Sequence, residues 1–140
     1  MSVTLYIDIR AALTNHLKAL PGLPEVAYEN KSYNPIVGQA YIRPALLWGE
    51  SFQAEQGPNG RNWECGVYQL SCVCPADKGA GPILVILGQL KDHFKRGTEL
   101  SYNGVVVKIR KVHLSGLPPR SEGPNYEIPL SISFYCQADN

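Results

Sequence analysis

Residues 65–74 read CGVYQLSCVC and hold three of the chain's four cysteines. Thiolates in close pairs bind zinc or exchange disulfides, so this stretch comes first. Structural zinc sites repeat a C-x2-C pair to reach four ligands. Here the spacing is C-x6-C-x-C, with the last cysteine at 136, and there is no C-x-x-C redox motif. On a strand, Cys72 and Cys74 share a face but lie too far apart for an easy mutual disulfide. A site from Cys72, Cys74, Cys136 and His113 would require their strands to adjoin. Free cysteine is among the most buried residue types and packs as a small hydrophobe. The stretch therefore reads as a core strand, with no metal and no cofactor expected.

Other reactive combinations are equally incomplete. There is no G-x-S-x-G elbow. His16, His93 and His113 fall on separate elements; the first two read as polar-face or stripe-edge helix residues. His113 sits between the apolar Val112 and Leu114, so it faces solvent or a partner. KGAGP at 78–82 resembles an anion cradle before a helix but lacks both the G-K-[ST] ending and the G-x-G-x-x-G spacing. It reads as a loop with Pro82 in the first helical turn. Glu50 and Glu55 share a loop, and nothing positions them. No catalytic set emerges, so the chain reads as a non-enzyme. Trp48, Phe52 and Trp63, with Arg61, flank or occupy a long connection and look like interface anchors. The alternative is that the tryptophans cap the end of a sheet.

The elements that must position these residues follow from periodicity. Tyr6, Ile9, Leu13, Leu17 and Leu20 recur at helical steps, so residues 4–20 read as a helix with Thr4 as N-cap and PGLP at 21–24 as its stop. EVAYE at 25–29 fits a short strand. AYIRPALLW at 40–48 fits another, and Pro44 makes it an edge strand or a bulged one. GESFQAEQGPNGRN at 49–62 has no clear period: it is a functional loop, a disordered one, or two extended arms meeting at PNG. Residues 63–74 return to strand. Ile83, Ile86, Leu87, Leu90 and Phe94 mark a second helix, with basic residues at its end and Gly97 as C-cap. Asn103-Gly104 between β-formers signals a type I′ hairpin. Val105, Val107 and Ile109 share one parity, while Val112 and Leu114 take the other, which requires a bulge near Arg110-Lys111. SGLPPRSEGPN at 115–125 reads as an exposed loop. Ile128, Leu130, Ile132, Phe134 and Cys136 then alternate with polar residues in the last strand. The expected fold is α+β: an antiparallel β-sheet with two helices packed on one face, and a long loop or β-arm after the second strand.

The 140 residues suit one domain spanning 1–140. With 44% hydrophobic and 18% charged residues, the chain can bury a core. A net charge of +1 gives no general pull toward nucleic acid or membrane. No stretch reads as a signal peptide or a bilayer span, and reduced thiols fit an intracellular setting.

With these elements in place, the chain resembles the tail terminator, or tail-completion, proteins of long-tailed phages. The resemblance lies in AYIRPALL at 40–47, GVYQLSCVCPADKGAGP at 66–82, FKRGTELSYNGVVVKIRK at 94–111 and EGPNYEIPLSISFYC at 122–136. It implies a structural protein that caps the tail tube as a homo-oligomeric ring, typically a hexamer. Such a ring ends tube polymerisation and presents a surface for head joining. The implied partners are further copies of the chain, the tail tube protein and the head-tail connector protein, with DNA only passing through the lumen and no membrane. The implied location is the tail-neck region of the virion, assembled in the host cytoplasm. A head-tail connector of the same region is the neighbouring reading; a small-ligand or metal-binding enzyme is the remote one. A ring built by one repeated contact needs two different complementary patches per subunit. Residues 49–62 and 115–125 are the expected contact segments. The interface candidates within or flanking them are Trp48, Phe52, Arg61, Trp63, Pro119 and Arg120, the two arginines pairing with acids across an interface.

Overall fold

The computed structural model describes residues 3–29, 32, 34, 39–53, 56–57, 60–75, 81–114, 120–122 and 125–139. Glu55, Pro119 and the 78–80 part of KGAGP lie outside them, as does the 115–119 part of the second contact segment. The elements are α1 (Leu5–Lys18), β1 (Glu25–Val26), β2 (Tyr41–Trp48), β3 (Phe52–Gln53), β4 (Arg61–Pro75), α2 (Gly81–His93), β5 (Glu99–Tyr102), β6 (Val105–Leu114), β7 (Arg120–Glu122) and β8 (Asn125–Asp139).

The expected α+β sandwich of helices on an antiparallel sheet is not what forms. The protein is mostly β, a curled half-barrel sheet with two helices. Its strand order is β1-β2-β4-β8-β6-β5, with β3 added to β4 and β7 to β8. One pair, β1 with β2, is parallel. The physical reason lies in the two longest strands. β4 and β8, each of 15 residues, pair in unbroken register from Arg61↔Asp139 to Pro75↔Asn125. Twist accumulates along strands of that length and curls the sheet.

Alternation decides which side faces the core. Tyr68, Leu70, Cys72 and Cys74 of β4 meet Ile128, Leu130, Ile132, Phe134 and Cys136 of β8 in one apolar cluster. Leu5, Ile9, Ala12, Leu13 and Leu17 of α1 join it, as do Ile83, Leu87 and Leu90 of α2. The apolar stripe of α1 thus runs through Leu5; Tyr6 is 46% exposed and stands outside it.

Several local expectations hold in detail. Asn103 (φ 51°) and Gly104 (φ 82°) both take left-handed conformations, as a type I′ turn requires. The β6–β8 register shifts between Ile109 and Lys111, which marks the bulge. β3 pairs with β4 through Phe52↔Trp63 and Gln53↔Asn62, so the first long connection contains extended arms. Gly60 N–H donates to the Gly57 carbonyl at 3.2 Å within it. Pro44 lies beyond the two residues of β2 that pair with β1, and among the described residues no strand pairs with it on that side.

Three expectations need correction. Thr4 is the N-cap residue of α1, as expected, but its side chain makes no capping bond to the helix backbone; its hydroxyl donates to Asp8 Oδ2 at 3.1 Å. Asn103 Nδ2 donates to the same oxygen at 3.3 Å, so a buried carboxylate ties the start of α1 to the hairpin turn. Gly97 is not the cap of α2, which ends at His93; it occupies a turn closed by Thr98 N–H on the Lys95 carbonyl. Part of the expected loop at 115–125 is strand: Arg120, Ser121 and Glu122 pair with Glu127, Tyr126 and Asn125.

Candidate interaction surface

Three of the four cysteines are packing residues. Cys72, Cys74 and Cys136 are buried in the apolar core. Burial pushes the Cys72 thiol up to about 12 and the Cys136 thiol up to about 11. Cys72 pairs with Ile128 and Cys136 with Glu64. Eight strand residues, roughly 26 Å, therefore separate them. His113 is exposed on β6 opposite Ser131. The four candidate ligands thus do not meet. Among the described residues, no group of three or more His, Cys, Asp or Glu side chains is placed to hold a metal.

The other two histidines do meet, although 77 residues separate them. Their rings stack at 3.9 Å, with planes 7° apart. His16 Nε2 donates to the His93 backbone carbonyl at 2.7 Å, and His93 Nε2 donates to that of His16. A carbonyl can only accept, so each Nε2 carries a hydrogen. A second proton on each ring would set two cations face to face. Burial is the main cause that lowers the His16 pKa; the His93 carbonyl opposes it and charge on His93 reinforces it. The folded state thus favours neutral His16. The stability gained by keeping His16 neutral is present above about pH 6.5, its ordinary value, and is lost as pH falls from there through the lowered folded value. Melting temperature should therefore drop between pH 7.5 and 5.5, and His16→Gln should flatten that slope. An equal slope in wild type and variant would remove His16 as its cause.

Two clefts are lined by aromatic side chains, one on each side of the sheet. On the outer side, Trp63 and Tyr135 meet edge to face at 5.2 Å. With Cys65 and Arg110 they line a cleft of ≈ 450 Å³. Arg61 reaches Gln137 Oε1 at 3.3 Å on the same side. At the rim of the inner side, Tyr6 and Trp48 meet at 4.7 Å, and Trp48 stands edge-on to the buried Phe134 at 6.4 Å. Tyr6, Trp48, Gly49 and Glu64 line a second cleft, of ≈ 330 Å³. Glu64 is only 5% exposed and accepts a hydrogen bond from Ser51 Oγ at 2.6 Å.

The five interface candidates among the described residues therefore do not form one patch. Arg61 and Trp63 share the outer side, and Phe52 is beside them by strand register. Trp48 belongs to the inner rim. Arg120 is opposite Glu127, which pairs with Val73. That is ten residues of β4 from Trp63, roughly 33 Å. Both tryptophans do sit toward one end of the sheet, with Trp48 46% exposed and Trp63 half-buried. Tyr6 and Glu64 were missed as site residues. Glu64 was findable, since its parity matches that of the inward Tyr68 and Leu70.

Among the described residues, no helix is long and apolar enough to cross a membrane. The sequence matches the family described as phage tail terminator protein over residues 8–134. No curated protein matches it. One solved structure superposes with a TM-score of 0.70 at 22% identity, covering 93% of this chain and 94% of that one.

Proposed function

The chain belongs to the phage tail terminator family, whose members are structural components of the tail, and we propose that it caps the tail tube as a homo-oligomeric ring, six-fold in the simplest case. The cap ends tube polymerisation and offers its opposite face to the head connector, with DNA passing through the lumen. Assembly takes place in the host cytoplasm, and no catalysis is involved. The observation that carries this reading is the family match, which spans nearly the whole chain. The molecule supplies the means. Its two aromatic clefts differ in composition and lie on different sides of the sheet. A closed ring built from one repeated heterologous contact needs such unlike surfaces.

Electron microscopy of phage particles lacking this gene tests the reading. Overlong, headless tails are expected, because tube growth has lost its stop. Tails of normal length beside unattached heads would replace the terminator with a head-tail connector. Intact infectious particles would overturn both.

A further inference from the structure

We propose that the cleft of Tyr6, Trp48, Gly49 and Glu64 receives the basic residues at and just beyond the end of α2, Lys91, Lys95 and Arg96, from a second copy of this chain. The inference rests on the ring reading above and names its repeated contact. A carboxylate withdrawn from water is costly unless hydrogen-bonded and paired. The hydrogen-bond partner of Glu64 is a neutral hydroxyl, and among the described residues no cation forms an ion pair with it. Tyr6 and Trp48 stand above it, each 46% exposed. Aromatic faces attract a cation and cover its aliphatic stem. Aromatic walls over a buried carboxylate are the complement of a Lys or Arg side chain.

The chain itself carries the matching group. Arg10 is engaged by Glu29 at 3.1 Å, Arg43 by Glu127 at 2.7 Å and Lys108 by Glu99 at 3.9 Å, and Lys18 lies over Tyr28. Lys91, Lys95 and Arg96 are exposed and have no ion-pair partner among the described residues. Only Asp92 offsets them within that six-residue stretch. Their position is what favours them over Arg110 and Lys111 on the outer side. His93, in their midst, stacks on His16 near the end of α1, whereas the cleft wall Tyr6 belongs to its first turn. Ten helical residues, about 15 Å of axis, separate the two. Cleft and basic end thus lie toward opposite ends of α1. A contact between unlike ends repeats head to tail, as a ring requires.

Sedimentation velocity on the full-length chain tests this. Glu64→Gln keeps the shape of the side chain and its acceptor for Ser51. Lys95→Glu with Arg96→Glu removes the other half. Each variant should need at least about tenfold more protein to assemble than wild type. Mixed, the two should give a one-to-one dimer and no ring, because each retains one working half. Trp48→Ala, at an exposed site, should behave like Glu64→Gln and covers the case in which the buried substitution fails to fold. Variants that assemble like wild type would overturn the contact and leave the ring standing. So would a mixture that stays monomeric, or assembly lost only in Arg110→Glu with Lys111→Glu. A wild-type chain that is monomeric at every concentration and is not recruited by tail tubes would overturn the ring itself.

Discussion

Phe94→Ala should lower the free energy of unfolding by about 3–5 kcal/mol, the usual cost of emptying a buried aromatic site. Phe94 is fully buried just beyond α2 and joins both helices to the sheet. Its ring lies edge-on to His16 at 4.8 Å and to His93 at 5.5 Å, and it approaches Tyr68 of β4 at 6.3 Å. None of these three rings is free to fill the space. The two imidazoles are held by reciprocal backbone hydrogen bonds, and Tyr68 is within 3.4 Å of the Thr14 hydroxyl. The loss is a large part of a domain stability of about 5–15 kcal/mol. Urea unfolding should show a lower midpoint with an unchanged slope. Phe94→Leu, which conserves most of the volume, should cost about 1 kcal/mol. A cost below that for the alanine variant would mean that the junction collapses onto the gap, and that the histidine stack carries it alone.

What could be read from sequence divides by range. Ile9, Leu13 and Leu17 declare α1 because a helix repeats every 3.6 residues. Asn103-Gly104 declares its turn because left-handed backbone at two successive positions admits few residue types. The parity change after Ile109 declares the bulge because an inward side chain must stay inward. All three are local. The overall class was misjudged because it depends on non-local pairing. Nothing between residues 61 and 75 announces that every one of them pairs with β8, or how far the resulting sheet curls. The parallel partner of β2 is only two residues long and leaves almost no pattern.

The candidate surface divides in the same way. Trp48 and Trp63 were recognisable as unusual because large aromatics bordered a stretch without periodicity. That they serve different sides follows only from strand parity once β2 and β4 are in register, with Trp48 opposite Gly66. Tyr6 fits the apolar period of α1 in the sequence, and so does Leu5 to within one residue. The helix rotates Leu5 inward and leaves Tyr6 to Trp48. The histidine stack had no signal at all: stacking across 77 residues is set by where two helices end.

Two identical substitutions at glycines should act in opposite directions. Gly66→Ala should destabilise by about 1–3 kcal/mol, the range for overpacking. A methyl group there would lie 2.7 Å from the Phe134 ring and 2.8 Å from the Leu47 carbonyl oxygen. The ring could shift at the expense of its contact with Trp48, the wall of the proposed docking cleft. The carbonyl could not, because Leu47 lies in the β2–β4 ladder on the neighbouring strand. Alanine is otherwise no worse than glycine inside a strand, so the clash alone decides the sign. Gly88 reverses the balance. It sits on the exposed side of α2, and a methyl group there meets nothing within 4 Å. Gly88→Ala removes only unfolded-chain freedom and should stabilise by about 0.5–1 kcal/mol. Thermal unfolding of the two variants beside wild type reads both signs at once. A neutral Gly66→Ala would show that β2 and β4 can part locally. Because Trp48 rides on that same junction, the variant should also weaken assembly by more than its stability loss accounts for, whereas Gly88→Ala should leave assembly unchanged.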